Sequence, residues 1–281
     1  MTTDRDAALV SAEWIQDHLD EFAEDEPEYR LVEVNVDTSR HNTGHIPGAV
    51  SLDWNAELQD PERFDVASPE AFAQLVGQYG IEEDTTVVLY GDLYNWFAAY
   101  AYWLFTYYGH NDVRLLDGGW RYWITAGKPV ADRTSEYPAV SYAVPAPDTS
   151  IRVDRPDVEA AVTGGNTTIV DVRAPPEYRG DVLSPPGWNE GVQRGGHIPG
   201  AENVPWSQVV NADGRFKSNA ALQELFSQLL DEQVVVYCRI GERSAMTWFA
   251  LHELLGKRDV THYYGSWVEW GNTVGTPIET E

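Results

Sequence analysis

Gly44-His45-Ile46-Pro47-Gly48-Ala49 recurs letter for letter as Gly196-His197-Ile198-Pro199-Gly200-Ala201. Other pieces recur around this hexapeptide in the same order. Val32-Glu33-Val34-Asn35-Val36-Asp37 ahead of the first copy resembles Val170-Asp171-Val172-Arg173 ahead of the second. Val87-Val88-Leu89-Tyr90 after it answers to Val234-Val235-Val236-Tyr237. Gly119-Trp120-Arg121-Tyr122-Trp123 answers to Ser266-Trp267-Val268-Glu269-Trp270. Four matched pieces in one order indicate a domain that was duplicated within the chain.

Each copy alternates two kinds of segment. Short β-branched runs at residues 31–36, 87–90, 169–172 and 234–237 suit parallel strands buried on both faces. Apolar-rich stretches at 98–108 and 244–255 follow a strand and a short loop, and they predict helices. Ser68-Pro69-Glu70 reads as a helix start, with a Ser cap, Pro in the first turn and an early acid. The expected fold class is therefore α/β, with a parallel β-sheet flanked by α-helices in each half. The Pro-rich stretch 137–149 reads as the connection. It places one domain at residues 1–140, a linker at 141–150 and a second domain at 151–281.

The 281 residues leave room for two buried cores. A hydrophobic share of 43% with 12% aromatics excludes a disordered chain. No apolar run is long enough to cross a membrane, and the N-terminus lacks a signal-peptide pattern. The expected location is the cytoplasm. Cys238, the one cysteine, cannot form an internal disulfide, which agrees with a reducing compartment. Acidic residues number 45 against 19 basic ones, for a net charge of −26. Lysine occurs only at 128, 217 and 257. Such a surface repels nucleic acid and anionic membranes, so neither is an expected partner. It also repels itself until salt screens it, which points to a protein of a halophile working in molar salt.

The halves part after the second of these strand motifs. The second half continues Tyr237-Cys238-Arg239-Ile240-Gly241-Glu242-Arg243-Ser244, whereas the first carries Gly91 where the second has Cys238. A cysteine at the carboxyl end of a parallel strand, just ahead of a helix, stands where α/β sites form. Loop N–H groups, the positive helix end and Arg239 and Arg243 all favour the thiolate, the nucleophilic form. Gly241 gives the loop a backbone conformation barred to other residues. A buried, inert cysteine is the ordinary alternative.

The paired domains, the hexapeptide after the first strand and the Cys-Arg-Ile-Gly-Glu-Arg-Ser loop resemble the rhodanese-type sulfurtransferases over almost the whole chain. The loop is most similar to the thiosulfate sulfurtransferase branch. The resemblance implies two tandem rhodanese-like domains, the second catalytic. Cys238 would take the outer sulfur of thiosulfate, release sulfite and hold a persulfide for a thiophilic acceptor such as cyanide. Arg239, Ile240, Gly241, Glu242 and Arg243 would bind the anionic donor. Some relatives place a basic residue where this chain has Glu177, and Arg179 and Arg194 are the candidates to replace it. Glu242 is otherwise read as a solvated loop carboxylate. The first half, with Gly91 and Asp92, cannot carry a persulfide and is expected to wall the cleft between the domains.

The remaining candidates read as structural. Asp171 and Arg173 are expected to form an ion pair beside the site. His45 and His197 occur in both halves and so suit structural hydrogen bonds. Trp206, Trp248 and Trp267 suit packing. His252 and His262 have no partners at ligand spacing, so no metal is expected, and no cofactor. The Gly- and Pro-rich insertion at 180–195 is expected to be a surface loop bordering the site. Three other readings stay open: a cysteine phosphatase, a 3-mercaptopyruvate sulfurtransferase and a sulfur carrier or sensor without turnover. A phosphatase loop is longer than the four residues separating Cys238 from Arg243. The arginines favour thiosulfate over mercaptopyruvate.

Overall fold

The computed structural model describes residues 5–24, 28–185, 187–188 and 191–280. Among them, ten strands form two sheets, and the second repeats the first. The first holds β1 (Leu9–Val10), β2 (Tyr29–Asn35), β3 (Val50–Asp53), β4 (Thr86–Tyr90) and β5 (Val113–Leu116), in the order β1-β5-β4-β2-β3. The second holds β6 (Arg152–Val153), β7 (Thr167–Asp171), β8 (Glu202–Asn203), β9 (Gln233–Tyr237) and β10 (Val260–Tyr263), in the order β6-β10-β9-β7-β8. Every neighbouring pair is parallel.

The four strands read from the sequence are the central ones, β2, β4, β7 and β9. Their continuous Val, Ile and Leu runs reflect burial on both faces. The other six strands, β5 and β10 among them, escape that reading because two to four residues carry too little pattern. The two predicted helices appear as Trp96–Tyr107 and Glu242–Phe249, the latter continuing as a π-turn, Ala250–Leu254. Helix Pro69–Gln78 begins as its sequence suggests: Ser68 Oγ accepts from the Ala71 N–H at 3.2 Å.

The hexapeptide is a device for joining a turn to the sheet. Pro47 and Gly48 occupy the middle of a turn closed by the Ala49 N–H on the Ile46 carbonyl, and Gly48 has φ +85°. This is the geometry that asks for Pro followed by Gly. Pro199 and Gly200 repeat it, with φ +74° at Gly200. The isoleucines fill the cores: Ile46 packs in a cluster with Leu31, Val88 and Trp123, and Ile198 in one with Ile169, Val235 and Trp267. Each such side chain contributes about 1.5–3 kcal/mol by leaving water. The histidines bridge backbone to backbone, His45 with Ala131 and His197 with Glu279.

The chain divides into two units. One runs to Asp148 and includes the later segment Ala212–Phe216; the other holds Thr149–Asn211 and Lys217–Glu281. Segment Ala212–Phe216 is tied to the first unit by the Phe216 N–H on Asp117 Oδ1 at 2.8 Å. Arg121 Nε adds a bond to the Ala212 carbonyl at 3.1 Å. The Pro-rich stretch 137–148 lies along the first unit as an extended strap. Val140 N–H bonds the Gly77 carbonyl, Tyr142 meets His110 Nδ1 at 2.9 Å, and Tyr137 stacks under Arg30.

Candidate active site

Cys238 directly follows β9, a central strand with β7 on one side and β10 on the other. This is the carboxyl-end position where parallel sheets build sites. The base of the loop is fixed by the first turn of helix Ser266–Asn272. Trp267 N–H bonds the Cys238 carbonyl at 3.1 Å and Val268 N–H the Arg239 carbonyl at 2.9 Å. The Cys238 N–H bonds Ser266 Oγ at 3.2 Å. Gly241 turns the loop into helix Glu242–Phe249 at φ +99°, and a Cβ there would press on Tyr264 at 3.3 Å. That turn brings the Gly241 N–H to the Cys238 sulfur at 3.1 Å. Ser244 Oγ donates to the Gly241 carbonyl at 3.1 Å, which leaves its oxygen to accept from His262 Nε2 at 2.9 Å.

Electrostatically the site differs from its sequence reading in three respects. First, Glu242 is not a solvated carboxylate. It is 2% exposed; its Oε2 accepts the Cys238 thiol at 3.2 Å and its Oε1 accepts from Arg243 Nε at 3.1 Å. Second, Arg243 is already occupied. Besides Glu242, it grips Glu177 through Nη1 at 2.8 Å and Nη2 at 3.1 Å. Burial pulls the Arg243 pKa down, but the two carboxylates outweigh it and hold the charge. In return the guanidinium holds Glu177 below the usual carboxylate range despite its burial. Third, the thiol is not poised as a thiolate. Burial, then the Glu242 charge, push its pKa up, against the pull of Arg243 and of the Ser244 hydroxyl and N–H. The burial cost of a charged sulfur exceeds what the loop's donors return.

Arg239, 1% exposed, has its guanidinium 5.6 Å from the ring of Trp188. Trp188 belongs to the 180–195 insertion, of which Pro186, Asn189 and Glu190 lie outside the described residues. Ile240 is buried at 8% exposure. Arg179 and Arg194 both have protein partners in the structure. Arg179 is spent on Asp181 at 2.9–3.0 Å. Arg194 caps the end of helix Ser266–Asn272, donating to the carbonyls of Gly271, Trp270, Thr273 and Thr276. Carbonyls at a helix end attract a cation for reasons of stability alone.

Behind the loop, Arg173 donates to Asp171 at 2.6 Å and to the Gly196 carbonyl at 2.7 Å. The Tyr237 hydroxyl donates to Asp171 at 2.7 Å and accepts from the Ile198 N–H at 3.1 Å. The first repeat keeps this plan: Tyr90 bonds Glu33 at 3.2 Å and accepts from the Ile46 N–H at 3.1 Å. Its loop, however, is built differently. The Gly91 N–H bonds Asn95 Oδ1 at 2.9 Å, and Leu93, Tyr94 and Asn95 all have positive φ. A Cβ at Gly91 would stand 2.4 Å from the Val34 carbonyl oxygen. The loop backbone therefore has no room for a cysteine. Asp92 faces Arg40 at 3.4 Å, and burial pushes its carboxyl pKa up.

Rings of His45 and His197 bond backbone carbonyls: His45 Nδ1 that of His41 at 2.6 Å, His197 Nδ1 that of Tyr178 at 2.9 Å. His262 is wholly buried, and burial, then Arg152, hold its imidazole down to about 3. Among the described residues, no group of three or more His, Cys, Asp or Glu is placed to hold a metal ion. None of their helices is long and apolar enough to cross a membrane.

Sequence reasoning missed Glu177 as the partner of Arg243, and Ser244, Ser266 and His262 as the loop's framework. Ser266 had a signal, since it takes the place of Gly119 in the matched Trp motifs. Glu177 and His262 had none, because Arg243 and Ser244, which they meet, are 66 and 18 residues away in the chain.

The profile of the rhodanese-like domain matches residues 11–126 and again 154–273. A Haloferax volcanii protein provisionally named thiosulfate sulfurtransferase is 53% identical over 274 residues, 96% of each chain. The sulfur carrier protein TtuD of Thermus thermophilus is 49% identical, over 96% of this chain and 95% of its own. Among solved structures, wild-type EanB superposes with TM-score 0.86 at 26% identity, covering 99% of this chain and 70% of that one. EanB has also been solved as a cysteine persulfide with ergothioneine, with TM-score 0.87 at 27% identity, over 99% of this chain and 71% of that one.

Proposed function

The chain belongs to the rhodanese-like family as a tandem pair of its domains, a sulfurtransferase at the family level, and on that premise we infer that it moves sulfane sulfur from thiosulfate to a thiophilic acceptor such as cyanide through a Cys238 persulfide. One observation carries the reading: the loop from β9 folds around the Cys238 sulfur, with the Gly241 N–H on it at 3.1 Å. A persulfide formed there has the Gly241 N–H and the Ser244 hydroxyl and N–H beside it to stabilise its charge. In this reading Arg239 and the backbone of Ile240 and Gly241 hold the donor's sulfonate. Arg243 acts from behind, fixing Glu242 and compensating its charge.

A second reading, carriage of sulfur to a protein acceptor, draws on the same geometry. With Arg243 spent on Glu177 and Glu242, the loop offers a dianion less positive charge than two arginines suggest. A donor or acceptor that is itself a cysteine persulfide needs no such charge. The protein's matched length with a named sulfur carrier supports keeping this alternative.

The experiment is to incubate the protein in molar KCl with thiosulfate and measure its intact mass, then add cyanide and assay thiocyanate. The expected result is a gain of one sulfur atom, lost on adding cyanide and absent in Cys238→Ala. A gain that survives Cys238→Ala, or no gain at all, overturns the thiosulfate reading. Persulfide arising from a protein persulfide but not from thiosulfate selects the carrier.

A further inference from the structure

We propose that Glu242 is a catalytic residue: its Oε2 takes the proton of the Cys238 thiol as the sulfur attacks, with Arg243 and Glu177 holding it in place. The proposal rests on the persulfide reading above and adds to it a route for the proton.

The geometry is that of an activated nucleophile, with the base in hydrogen-bond reach and a third group orienting the base. Cys238 Sγ lies 3.2 Å from Glu242 Oε2, within the range for direct proton transfer between heavy atoms. The second oxygen, Oε1, is pinned by Arg243 Nε at 3.1 Å, so the carboxylate cannot turn away. Arg243 is pinned in turn by the paired bonds to Glu177 at 2.8 and 3.1 Å. All three side chains are 2% exposed, so none is free to reorient through solvent. Glu242 stands on the first turn of its helix, four residues beyond Cys238, where its side chain reaches back over the loop. A need for such a base follows from the thiol itself. Burial and the Glu242 charge push the thiol pKa up, and the thiol form is a poor nucleophile.

The step balances without an outside oxidant. The thiol proton passes to Glu242, and the thiolate attacks the outer sulfur of thiosulfate. The new S–S bond forms as the bond to the sulfonate sulfur breaks, and its electron pair leaves with sulfite. Glu242 then gives its proton to the departing sulfite, which leaves as hydrogensulfite. The enzyme is left with a Cys238 persulfide anion and a carboxylate ready for another turnover.

Glu242→Gln separates this role from a purely electrostatic one, because the two predict opposite signs. Glutamine keeps the shape and the bond to Arg243 but takes no proton. If Glu242 is the base, the variant loses on the order of 100-fold or more, as expected for general-base assistance. If Glu242 only repels the thiolate, removing its charge leaves more thiolate and a faster reaction. Two rates are read at pH 7 in molar KCl: alkylation of Cys238 by iodoacetamide, and sulfur uptake from thiosulfate followed by intact mass. Slowing of both supports the proposal. Unchanged or faster rates overturn it, and so does slowing confined to thiosulfate, which would mark a donor-binding role. Should wild-type protein take no sulfur from thiosulfate, the function proposed above fails, while alkylation still decides the role of Glu242. If Glu242→Gln does not fold, Glu242→Asp is read instead. It keeps a base at longer reach, so a rate below wild type supports the proposal and an equal or faster rate overturns it.

Discussion

At the scale of single residues, Arg243, which the sequence reads as a donor-binding cation, is committed to two carboxylates of its own chain. Arg243 lies between Glu177 and Glu242, and all three are buried. Removing one partner of a buried ionic group leaves the others uncompensated, which costs about 3–5 kcal/mol. Arg243→Ala is therefore expected to lower stability by that order, measured by urea unfolding, as well as to slow sulfur uptake. His262 gives a second expectation. Unfolded, it binds a proton below its ordinary value of 6.5; folded, burial and Arg152 keep it neutral to about 3. The unfolded state thus binds more protons across that window, and His262 makes stability fall as pH drops from 6.5 towards 3. His262→Gln should flatten that part of the curve of unfolding free energy against pH. An unchanged slope would remove His262 as its source.

At the scale of elements, the two repeats show which parts of the motif serve the sheet and which serve chemistry. The hexapeptide turn, its bond to a strand tyrosine and the carboxylate behind that tyrosine are present in both. They join turn to sheet, and they would be needed without any reaction. The loop after β4 keeps the Trp120 N–H bond to the Gly91 carbonyl, the counterpart of Trp267 on Cys238. Its three consecutive left-handed residues and the closeness of Val34 to Gly91 make it a different structure. Gly91→Cys is therefore expected to destabilise the first unit by about 1–3 kcal/mol. It should add no second sulfur in the intact-mass assay. Two sulfurs per chain would show that the loop can rearrange into a working site. The hexapeptide and the central strands were legible because their patterns are local: Pro-Gly in a turn, β-branched runs in a buried sheet. The commitments of Arg243, Arg179 and Arg194 were not, since a guanidinium looks the same in sequence whether it faces a substrate, an acid or a helix end.

For the whole molecule the dominant property is charge. The formal charge of −26, with 3 Lys and 16 Arg as its positive residues, implies repulsion that salt relieves. If the protein works in a salt-rich cell, its melting temperature should rise with KCl into the molar range. A temperature that stays flat or falls would count against that. The arginines spread over the described residues are largely tied to neighbouring acids, as at Asp112, Asp154, Asp171, Asp181 and Asp213. Positive charge so tied is poorly placed to draw an anion from a distance, and donor capture falls to the loop itself.

The sequence by itself determined the duplication, the α/β class, the family resemblance and the position of Cys238 after a central strand. These depend on local pattern and on order along the chain. Only the tertiary structure decided how charge is distributed around the sulfur. Glu177 and Arg243 are 66 residues apart and meet because β7 and β9 are neighbours in the sheet. That meeting occupies Arg243, fixes Glu242 against the thiol and buries all three. Burial, which no sequence pattern reports, pushes the Cys238 pKa up and gives the proposed proton transfer to Glu242 its purpose.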